Sequence, residues 1–417
     1  ALPSGGALLL SGATGFLGAF LLRRLLDTSP TLSVVCLCRP ASLSQAGARE
    51  LATGSAASAT SVLADPKPLL DRVLDNMRRL CVYVPGDEQR VLAIDVRLGH
   101  RCFGLQAEQF ALLRSRVACV VHNAAHVSTI LPYAALRQAN VLATLEVVRF
   151  ACAKDQKPLP LHYISTISVL FGDTPTGARE DTPLIPAVSA VSAFNGYGLS
   201  KYVGETLVRE ANRLFGMPCT VHRPGTITGS RTHGALNPGD FFSRALRGFV
   251  HMGATPVMTN SVFNWVPVDD CAYMIVSVIT RGEQVANVRT FHHQNASGNQ
   301  SWSEIPHWLN ELGYPVVTLP FREWRERLHS EAGTSAGLHN PLSAMLSYFP
   351  ARATSFPTSR RHFDMRNTLA HLREVDQKQP DHKEKEQQQQ QSGAAALDLG
   401  GPITAALIGK YLSFMLK

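Results

Sequence analysis

The run Ala7-Leu-Leu-Leu-Ser-Gly-Ala-Thr-Gly-Phe-Leu-Gly18 joins a short apolar segment to three regularly spaced glycines. An uninterrupted apolar segment of this length is typical of a parallel strand that is buried on both faces. A helical pattern follows directly, from Ala19 to Leu26. Gly12, Gly15 and Gly18 allow the backbone to approach a pyrophosphate, whose charge is favoured at a helix N-terminus. The order of strand, glycine turn and helix therefore predicts a Rossmann-type, doubly wound α/β sheet that binds a dinucleotide.

The next apolar strand, Leu32 to Leu37, ends at an arginine, Arg39, about 20 residues past the glycine turn. In a dinucleotide fold this strand end faces the adenosine ribose, where an acidic residue holds the hydroxyl of NAD and an arginine holds the 2′-phosphate of NADP. The arginine favours NADP(H), with Arg49 as a second contact. The alternative is an arginine that is simply solvated at the surface.

Later strands also end in polar or small residues. The strand Arg90 to Ile94 places the carboxylate of Asp95 where adenine commonly lies, and the strand Val117 to Val121 runs into His122. Ligands of open α/β sheets bind at this carboxyl edge. His122 and His126 are four residues apart, but the glutamate of an HExxH motif is missing, so no metal site is predicted. The other expected cofactor contacts are Thr14, Phe16, Leu17, Val96, Asn123, Ala124, Ala125, Asn140, Pro224 and Gly225.

Hydroxyl groups and a tyrosine–lysine pair supply the predicted chemistry. The strand Leu161 to Ile164 ends in Ser165-Thr166-Ile-Ser168, and Tyr197 stands four residues before Lys201 in a helical run. Side chains at this spacing share a helix face, so the lysine ammonium is expected to lower the tyrosine pKa. A tyrosine so placed can donate or accept a proton near neutral pH. The alternative is an exposed helix face without chemistry.

The pattern of the chain predicts a large and a small lobe. Residues 1–230 are expected to form the cofactor-binding domain with the catalytic residues. Residues 231–372 are expected to form a mostly helical substrate lobe, with about 262–295 returning to the sheet. Residues 373–401 read as a disordered linker, and 402–417 as a helix that docks back. The Pro- and Ser-rich loop Gly172–Asn195 is expected to close over a substrate.

Composition narrows the class of protein. The 417 residues carry a formal net charge of +8 that is spread along the chain, which indicates anionic small molecules or acidic partners and not nucleic acid. The eight cysteines are scattered without a CxxC pair, as in reduced cytoplasmic proteins. No apolar run approaches the roughly 18–20 residues of a membrane span. Because the first strand begins within a few residues of Ala1, we expect a domain excised from a longer polypeptide. We also expect the isolated domain to be a monomer.

Together these motifs resemble those of the extended short-chain dehydrogenases/reductases, and within them the thioester reductase domains of nonribosomal peptide synthetases, carboxylic acid reductases and aminoadipate reductases. The resemblance covers nearly the whole chain. One departure is Ala124, which replaces a usual glycine. The matching segments are Ser11-Gly-Ala-Thr-Gly-Phe-Leu-Gly18, His122-Asn-Ala-Ala-His126, Tyr163-Ile-Ser-Thr166, Gly196-Tyr-Gly-Leu-Ser-Lys201, His222-Arg-Pro-Gly225, Asn264-Trp-Val-Pro-Val-Asp269 and Phe363-Asp-Met-Arg-Asn-Thr368.

The resemblance implies an NADPH-dependent oxidoreductase that reduces an acyl or aminoacyl thioester, held on the phosphopantetheine arm of a carrier protein, to an aldehyde or further to the alcohol. Thr166 and Tyr197 would stabilise the oxyanion, Tyr197 would supply the proton, and Lys201 would bind the nicotinamide ribose. Thr166 matches the family pattern better than Ser165 or Ser168. The alternatives are a nucleotide-sugar epimerase or dehydratase, a fatty acyl-CoA reductase, and an NADP-sensing protein without turnover.

Overall fold

The computed structural model describes residues 6–40, 66–128, 130–153, 156–170, 178–181, 184, 195–258, 262–263, 265–281, 287–295, 300–334, 339–350, 363–378 and 401–416. Three predicted features lie wholly or mostly outside these ranges: Arg49, the loop 172–195 and the linker 373–401. The described chain divides into two compact units. The first lies within 1–173, 181–223 and 272–291, and the second within 174–180, 224–271 and 292–417.

A seven-stranded sheet organises the first unit. Within the described residues its strand order is β11-β6-β5-β4-β1-β2-β3, and the neighbours from β3 to β6 pair in parallel. The order reverses between β1 and β4, which is where a doubly wound sheet opens a ligand crevice. The strands are Ala7–Ser11 (β1), Val34–Cys38 (β2), Val91–Asp95 (β3), Val117–His122 (β4), Leu161–Ile164 (β5), Cys219–Pro224 (β6), Thr226–Thr228 (β7), Ala254–Pro256 (β8), Val262–Phe263 (β9), Trp265–Pro267 (β10), Arg289–His293 (β11), Gln300–Ser301 (β12) and Val317–Leu319 (β13).

Helices connect the parallel strands of the first unit and make up much of the second. They span Phe16–Thr28 (α1), Pro66–Arg79 (α2), Ala107–Arg116 (α3), Tyr133–Arg137 (α4), Ala143–Ala151 (α5), Gly196–Phe215 (α6), Phe241–Met252 (α7), Val268–Arg281 (α8), Ile305–Glu311 (α9), Phe321–Ala332 (α10), Arg366–Lys378 (α11) and Ala405–Met415 (α12). No helix in the described ranges has the length and hydropathy that crossing a membrane requires.

The apolar runs that predicted the central strands form the core. Leu8, Leu9 and Leu10 of β1 are buried, as are all residues of β2, because both faces of the sheet are covered. One face packs on three phenylalanines, Phe103, Phe110 and Phe150, whose ring centroids lie 5.2–5.5 Å apart. Aromatic contacts in this range add to the stabilisation from burial alone. The core therefore holds the carboxyl ends of the strands in a rigid frame.

The helical segment between β4 and β5 is not one continuous α-helix. The chain forms α4, then a π-helical turn over Gln138–Leu142, and then α5. A π turn inserts one extra residue in the helical ladder and is often found at functional sites. Apolar periodicity does not reveal it, because the residues on both sides keep a buried face.

The second unit has its own aromatic core. Trp265 and Trp302 lie 5.1 Å apart, and Phe242 packs on both. The last helix, α12, belongs to this unit, where the Tyr411 hydroxyl donates to the Gly229 carbonyl at 2.8 Å. A buried carboxylate, Glu180, accepts hydrogen bonds from the His292 amide and from the Thr368 amide and hydroxyl. These contacts join three distant segments of sequence within the unit.

Candidate active site

The glycine turn leaves backbone amides available at the start of α1. Gly12 has a φ of +78°, and a Cβ on Gly18 would lie 2.0 Å from the Gly12 carbonyl oxygen, so larger residues cannot form this turn. The Phe16 ring turns away to contact Phe20, and Leu17 is buried in the core. Neither of these two side chains therefore occupies the space in front of the turn. This cradle fits a pyrophosphate at a helix N-terminus.

At the carboxyl end of β3 one buried acceptor has no hydrogen-bond partner among the described residues. Asp95 is paired in register with Cys38, and its buried Oδ1 finds no hydrogen-bond donor among the described residues. Burial raises the pKa of this carboxyl group, against the opposing charges of Arg72 and Arg97. An unsatisfied buried oxygen is costly unless a ligand donates to it. The Val96 side chain, in contrast, lies in the core, and only its backbone follows the strand end.

Three arginines surround a pocket beside the glycine turn. It has a volume of about 380 Å³ and is lined by Thr14, Arg39, Pro40, Arg72, Asp75, Asn76 and Arg79. Arg39 is exposed at the end of β2, as predicted from its position. The amide of Asn76 donates to the Gly15 carbonyl at 3.1 Å and holds α2 against the turn. A phosphate group matches this concentration of guanidinium groups.

Sequence reasoning missed Arg72 and Arg79. Both lie on α2, the helix that directly follows residues 41–65, so a long stretch of sequence separates them from Arg39. They are seven residues apart, which places them on one face of α2. That spacing was the available signal.

Hydrogen bonds join the glycine turn to β4. The Ser11 hydroxyl lies 2.7 Å from His122 Nδ1 and accepts from the backbone amides of Asn123 and Ala124, each at 3.1 Å. His122 Nε2 contacts the Thr144 hydroxyl at 3.1 Å. Burial, assisted by the charge of Lys201, lowers the His122 pKa to about 3, so the ring is neutral. His122 is therefore a structural link, and Asn123, Ala124 and Ala125 lie half-buried along the turn.

Asn140 lies in the π turn and is committed to the chain itself. Its Oδ1 accepts from the His126 amide at 2.7 Å, and its Nδ2 donates to the His126 carbonyl and to the Ser200 hydroxyl. Ser200 donates in turn to the Tyr197 carbonyl at 2.8 Å. The asparagine thus connects the loop after β4 to the first turn of α6. Its predicted contact with the cofactor stays a prediction.

The tyrosine and lysine lie on the first two turns of α6, as predicted. Asn195 caps this helix, since its Oδ1 accepts from the Gly198 amide at 2.7 Å. Tyr197 is half-buried and Lys201 is 1% exposed. Burial lowers the Lys201 pKa to about 7, although the nearby charge of Glu205 opposes the shift.

The predicted lowering of the Tyr197 pKa is wrong for this structure. Burial raises the pKa of the phenol above its ordinary value. Burial of the phenol, which disfavours the charged phenolate, is the cause of this shift, so helical spacing from Lys201 does not determine its direction. Tyr197 is therefore a protonated phenol, which is the form that a proton donor needs.

Three hydroxyls follow β5, and their surroundings differ. Ser165 donates to Glu205 at 2.8 Å and is committed to that carboxylate. Thr166 donates to the Ser168 hydroxyl at 3.3 Å and accepts from the Ser168 amide. If the Thr166 hydroxyl gives up this long hydrogen bond to Ser168, it can donate to a substrate oxygen instead. The geometry thus favours Thr166 over Ser165 as the candidate catalytic hydroxyl.

A buried ion pair supports this end of the sheet. Glu205 accepts from Arg223 Nη2 at 2.6 Å and from Arg209 Nη2 at 2.8 Å, and both Glu205 and Arg223 are fully buried. Burial alone would raise the Glu205 pKa, but the two arginines and Ser165 lower it to about 2. The pair fixes the ends of β5 and β6 to α6. Sequence reasoning did not single out this glutamate.

The remaining predicted residues lie at or beyond the end of β6. Pro224 is its last residue, and the Gly225 amide donates to the His293 carbonyl at 2.8 Å within the second unit. No group of three or more His, Cys, Asp or Glu side chains within the described ranges could hold a metal ion.

Comparison with known proteins gives consistent matches. Residues 10–275 match the NAD-binding family described as Male sterility protein. The chain is 31% identical to isonitrile lipopeptide synthase from Streptomyces coeruleorubidus, over 80% of this chain and 20% of that protein. It is 29% identical to the large subunit of L-2-aminoadipate reductase from Penicillium chrysogenum, over 100% of this chain and 28% of that protein.

Among solved structures, the terminal R domain from the myxalamid PKS-NRPS biosynthetic pathway matches with a TM-score of 0.79 and 28% identity, covering 100% of this chain and 92% of that one. The chain spans between a fifth and a third of the curated relatives that it matches first.

Proposed function

Because this chain belongs to the NAD-binding family described as Male sterility protein, we propose that it is an NADPH-dependent thioester reductase. Its substrate is an acyl or aminoacyl chain on the phosphopantetheine arm of a carrier protein, and its product is an aldehyde. The observation that carries the proposal is the position of Tyr197 four residues before the buried Lys201 on α6, in the same unit as the pyrophosphate cradle.

Several predictions from sequence are confirmed by the matches. These are the resemblance to terminal reductase domains, the Rossmann-type fold, the nicotinamide cofactor and the class of oxidoreductase. The choice of NADPH over NADH is supported by Arg39, Arg72 and Arg79 around one pocket. The orphaned Asp95 oxygen supports an adenine whose amino group donates to it.

The residues divide the chemistry between them. When bound, the nicotinamide cofactor would supply the hydride that the thioester carbon accepts. Thr166 and Tyr197 donate hydrogen bonds to the developing oxyanion, and Tyr197 transfers its proton there. Lys201 holds the nicotinamide ribose with its ammonium. The resulting hemithioacetal collapses to release the carrier thiol and a free aldehyde, which a second cycle can reduce to the alcohol.

The proposed partner is a carrier domain, and the proposed location is the cytoplasm. The relatives named as a synthase and as an aminoadipate reductase are longer than this chain, so a neighbouring carrier is consistent with their lengths. All eight cysteines are free thiols, which suits a reducing compartment. The monomeric state, and the assignment of substrate selection to residues 231–372 and to the loop 172–195, also stay proposals.

The direct experiment offers the chain three classes of substrate with NADPH: an acyl-pantetheine thioester, an acyl-CoA and a nucleotide sugar. We expect NADPH oxidation with the pantetheine thioester, and an aldehyde or alcohol by product mass analysis. A preference for acyl-CoA would identify a fatty acyl-CoA reductase. Turnover of the nucleotide sugar without net NADPH oxidation would indicate an epimerase or dehydratase. Tight NADPH binding without any turnover would overturn the enzymatic proposal.

A further inference from the structure

The environment of Lys201 contains an aromatic ring that the proposed chemistry does not use. The lysine is 1% exposed, and its Nζ lies 4.1 Å from the centroid of the Tyr163 ring. Burial disfavours an ammonium, whereas the face of an aromatic ring attracts one. Tyr163 comes from the middle of β5, three residues before Thr166. The ring therefore supports the ammonium from the strand that directly precedes the candidate catalytic hydroxyl.

Close packing determines where this ring lies. Tyr163 is fully buried, and a Cβ on Gly204 of α6 would lie 2.3 Å from its hydroxyl oxygen and 3.2 Å from its Cζ. Only glycine at 204 leaves room for the phenol one turn after Lys201. The hydroxyl itself finds no hydrogen-bond partner with normal geometry among the described residues. The nearby Thr144 hydroxyl already donates to the Asn140 carbonyl at 2.6 Å.

We propose that Tyr163 is a positioning residue for Lys201: its ring face, held in place by Gly204, keeps the buried ammonium charged and directed toward the nicotinamide ribose. The inference rests on the proposed function for the role of Lys201, but the contact itself does not. The phenol hydroxyl has no part in it. Burial raises the pKa of Tyr163, so the ring stays neutral and its face keeps attracting a cation.

The other titratable groups around Lys201 do not fully account for the stabilisation of its ammonium. On α6, Glu205 favours the ammonium, but its charge is shared with Arg209 and Arg223. Tyr197, one turn earlier, is protonated, and His122 from β4 is neutral. The carboxylate therefore gives only part of the stabilisation that a charged Lys201 needs at neutral pH, and the ring supplies a further part.

The test measures NADPH affinity as a function of pH, by cofactor fluorescence, in the Tyr163→Phe and Tyr163→Leu variants. Affinity is expected to weaken as pH rises through the Lys201 pKa. Phenylalanine keeps the ring and should keep the wild-type midpoint. Leucine fills similar space without the ring face, and should move the midpoint down by about half to one and a half pH units. Equal midpoints in both variants would overturn the proposal.

A second pair of variants gives an independent answer if the leucine variant does not fold. In Gly204→Ala the added methyl group pushes the Tyr163 ring away from Lys201, so the midpoint of the NADPH affinity should fall. Combining it with Tyr163→Phe removes the clashing oxygen, so the midpoint should return most of the way to the wild-type value. A double variant no better than Gly204→Ala alone would contradict the proposal. Because binding is measured without a thioester, failure of the wild-type protein to reduce thioesters would reject the proposed function and leave this result intact.

Discussion

The two halves of the sheet edge in the first unit handle charge in opposite ways. Around β1 to β3, the half proposed to bind phosphate (the binding half) offers backbone amides and arginines at an accessible pocket. From β4 to β6, the half proposed to carry the chemistry (the catalytic half) buries its ions: Lys201, Glu205 and Arg223 are at most 1% exposed. Accessible charges cost the fold little, whereas buried charges require partners in fixed positions. Substitutions in the binding half should therefore change affinity, and those in the catalytic half should change both turnover and stability.

Loss of the proton donor should have the largest effect. Tyr197→Phe removes only the phenol oxygen, so kcat should fall by about 10²–10⁴, the range attributed to general acid catalysis. NADPH affinity should be kept, because no phosphate contact is lost. Steady-state kinetics and fluorescence binding measure the two quantities. Tyr202→Phe, on the same helix, is the matched control and should behave as wild type. A near-normal kcat in Tyr197→Phe would mean that the tyrosine is only part of a helix face.

Removal of the buried carboxylate should break the catalytic half structurally. Glu205→Ala leaves the guanidinium of Arg223 buried without its partner, which should lower the free energy of unfolding by about 3–5 kcal/mol. Chemical denaturation measures the change. Glu210→Ala removes an exposed glutamate from the same helix and should cost less than about 1 kcal/mol. Similar losses of unfolding free energy in both variants would show that the buried ion pair is no more important for stability than an exposed one.

Acid should destabilise the catalytic half through its buried histidines. Burial lowers the pKa of His122 to about 3 and of His162 to about 4, whereas unfolded histidines titrate near pH ~6.5. The unfolded chain binds more protons below that value, so stability is lost as pH falls from about 6.5 toward 4. Each histidine should cost about 2 kcal/mol at pH 5.

Thermal unfolding between about pH 7.5 and 5 measures this slope. His162→Phe should flatten it, whereas His307→Gln, at an exposed position, should leave it unchanged. An unaltered slope in His162→Phe would contradict the assignment of a neutral buried ring.

The binding half should give the smallest free-energy change. Arg39→Ala and Arg72→Ala each remove one proposed charge-assisted contact to the 2′-phosphate, so the NADPH Kd should rise by about tenfold while the NADH Kd stays constant. Unfolding should be nearly unaffected. Arg78→Ala, on the exposed side of α2, is the control for both measurements. Equal losses of affinity for NADPH and NADH would mean that the pocket does not bind the 2′-phosphate.

The same contrast explains what the sequence could predict. The glycine turn, the strands and Arg39 follow from local patterns, because each needs only its own neighbours in the chain. The Tyr197–Lys201 pair also follows from local helical spacing, whereas the choice of Thr166 over Ser165 and Ser168 came from a resemblance that spans distant motifs. Glu205, Tyr163 and the π turn at Asn140 were not found, because their roles depend on contacts such as the one between Ser165 and Glu205, 40 residues apart. The direction of the Tyr197 pKa shift also required burial, which helical spacing alone does not give.

The most direct measurement of the proposed reaction is a single turnover with NADPH carrying deuterium at the transferable position and an acyl thioester on a carrier domain. We predict one deuterium on the carbonyl carbon of the released aldehyde, formed at a much lower rate by Tyr197→Phe than by Tyr202→Phe. An aldehyde without label, or label that stays in the cofactor while the thioester is consumed, would contradict reduction by hydride transfer at this site.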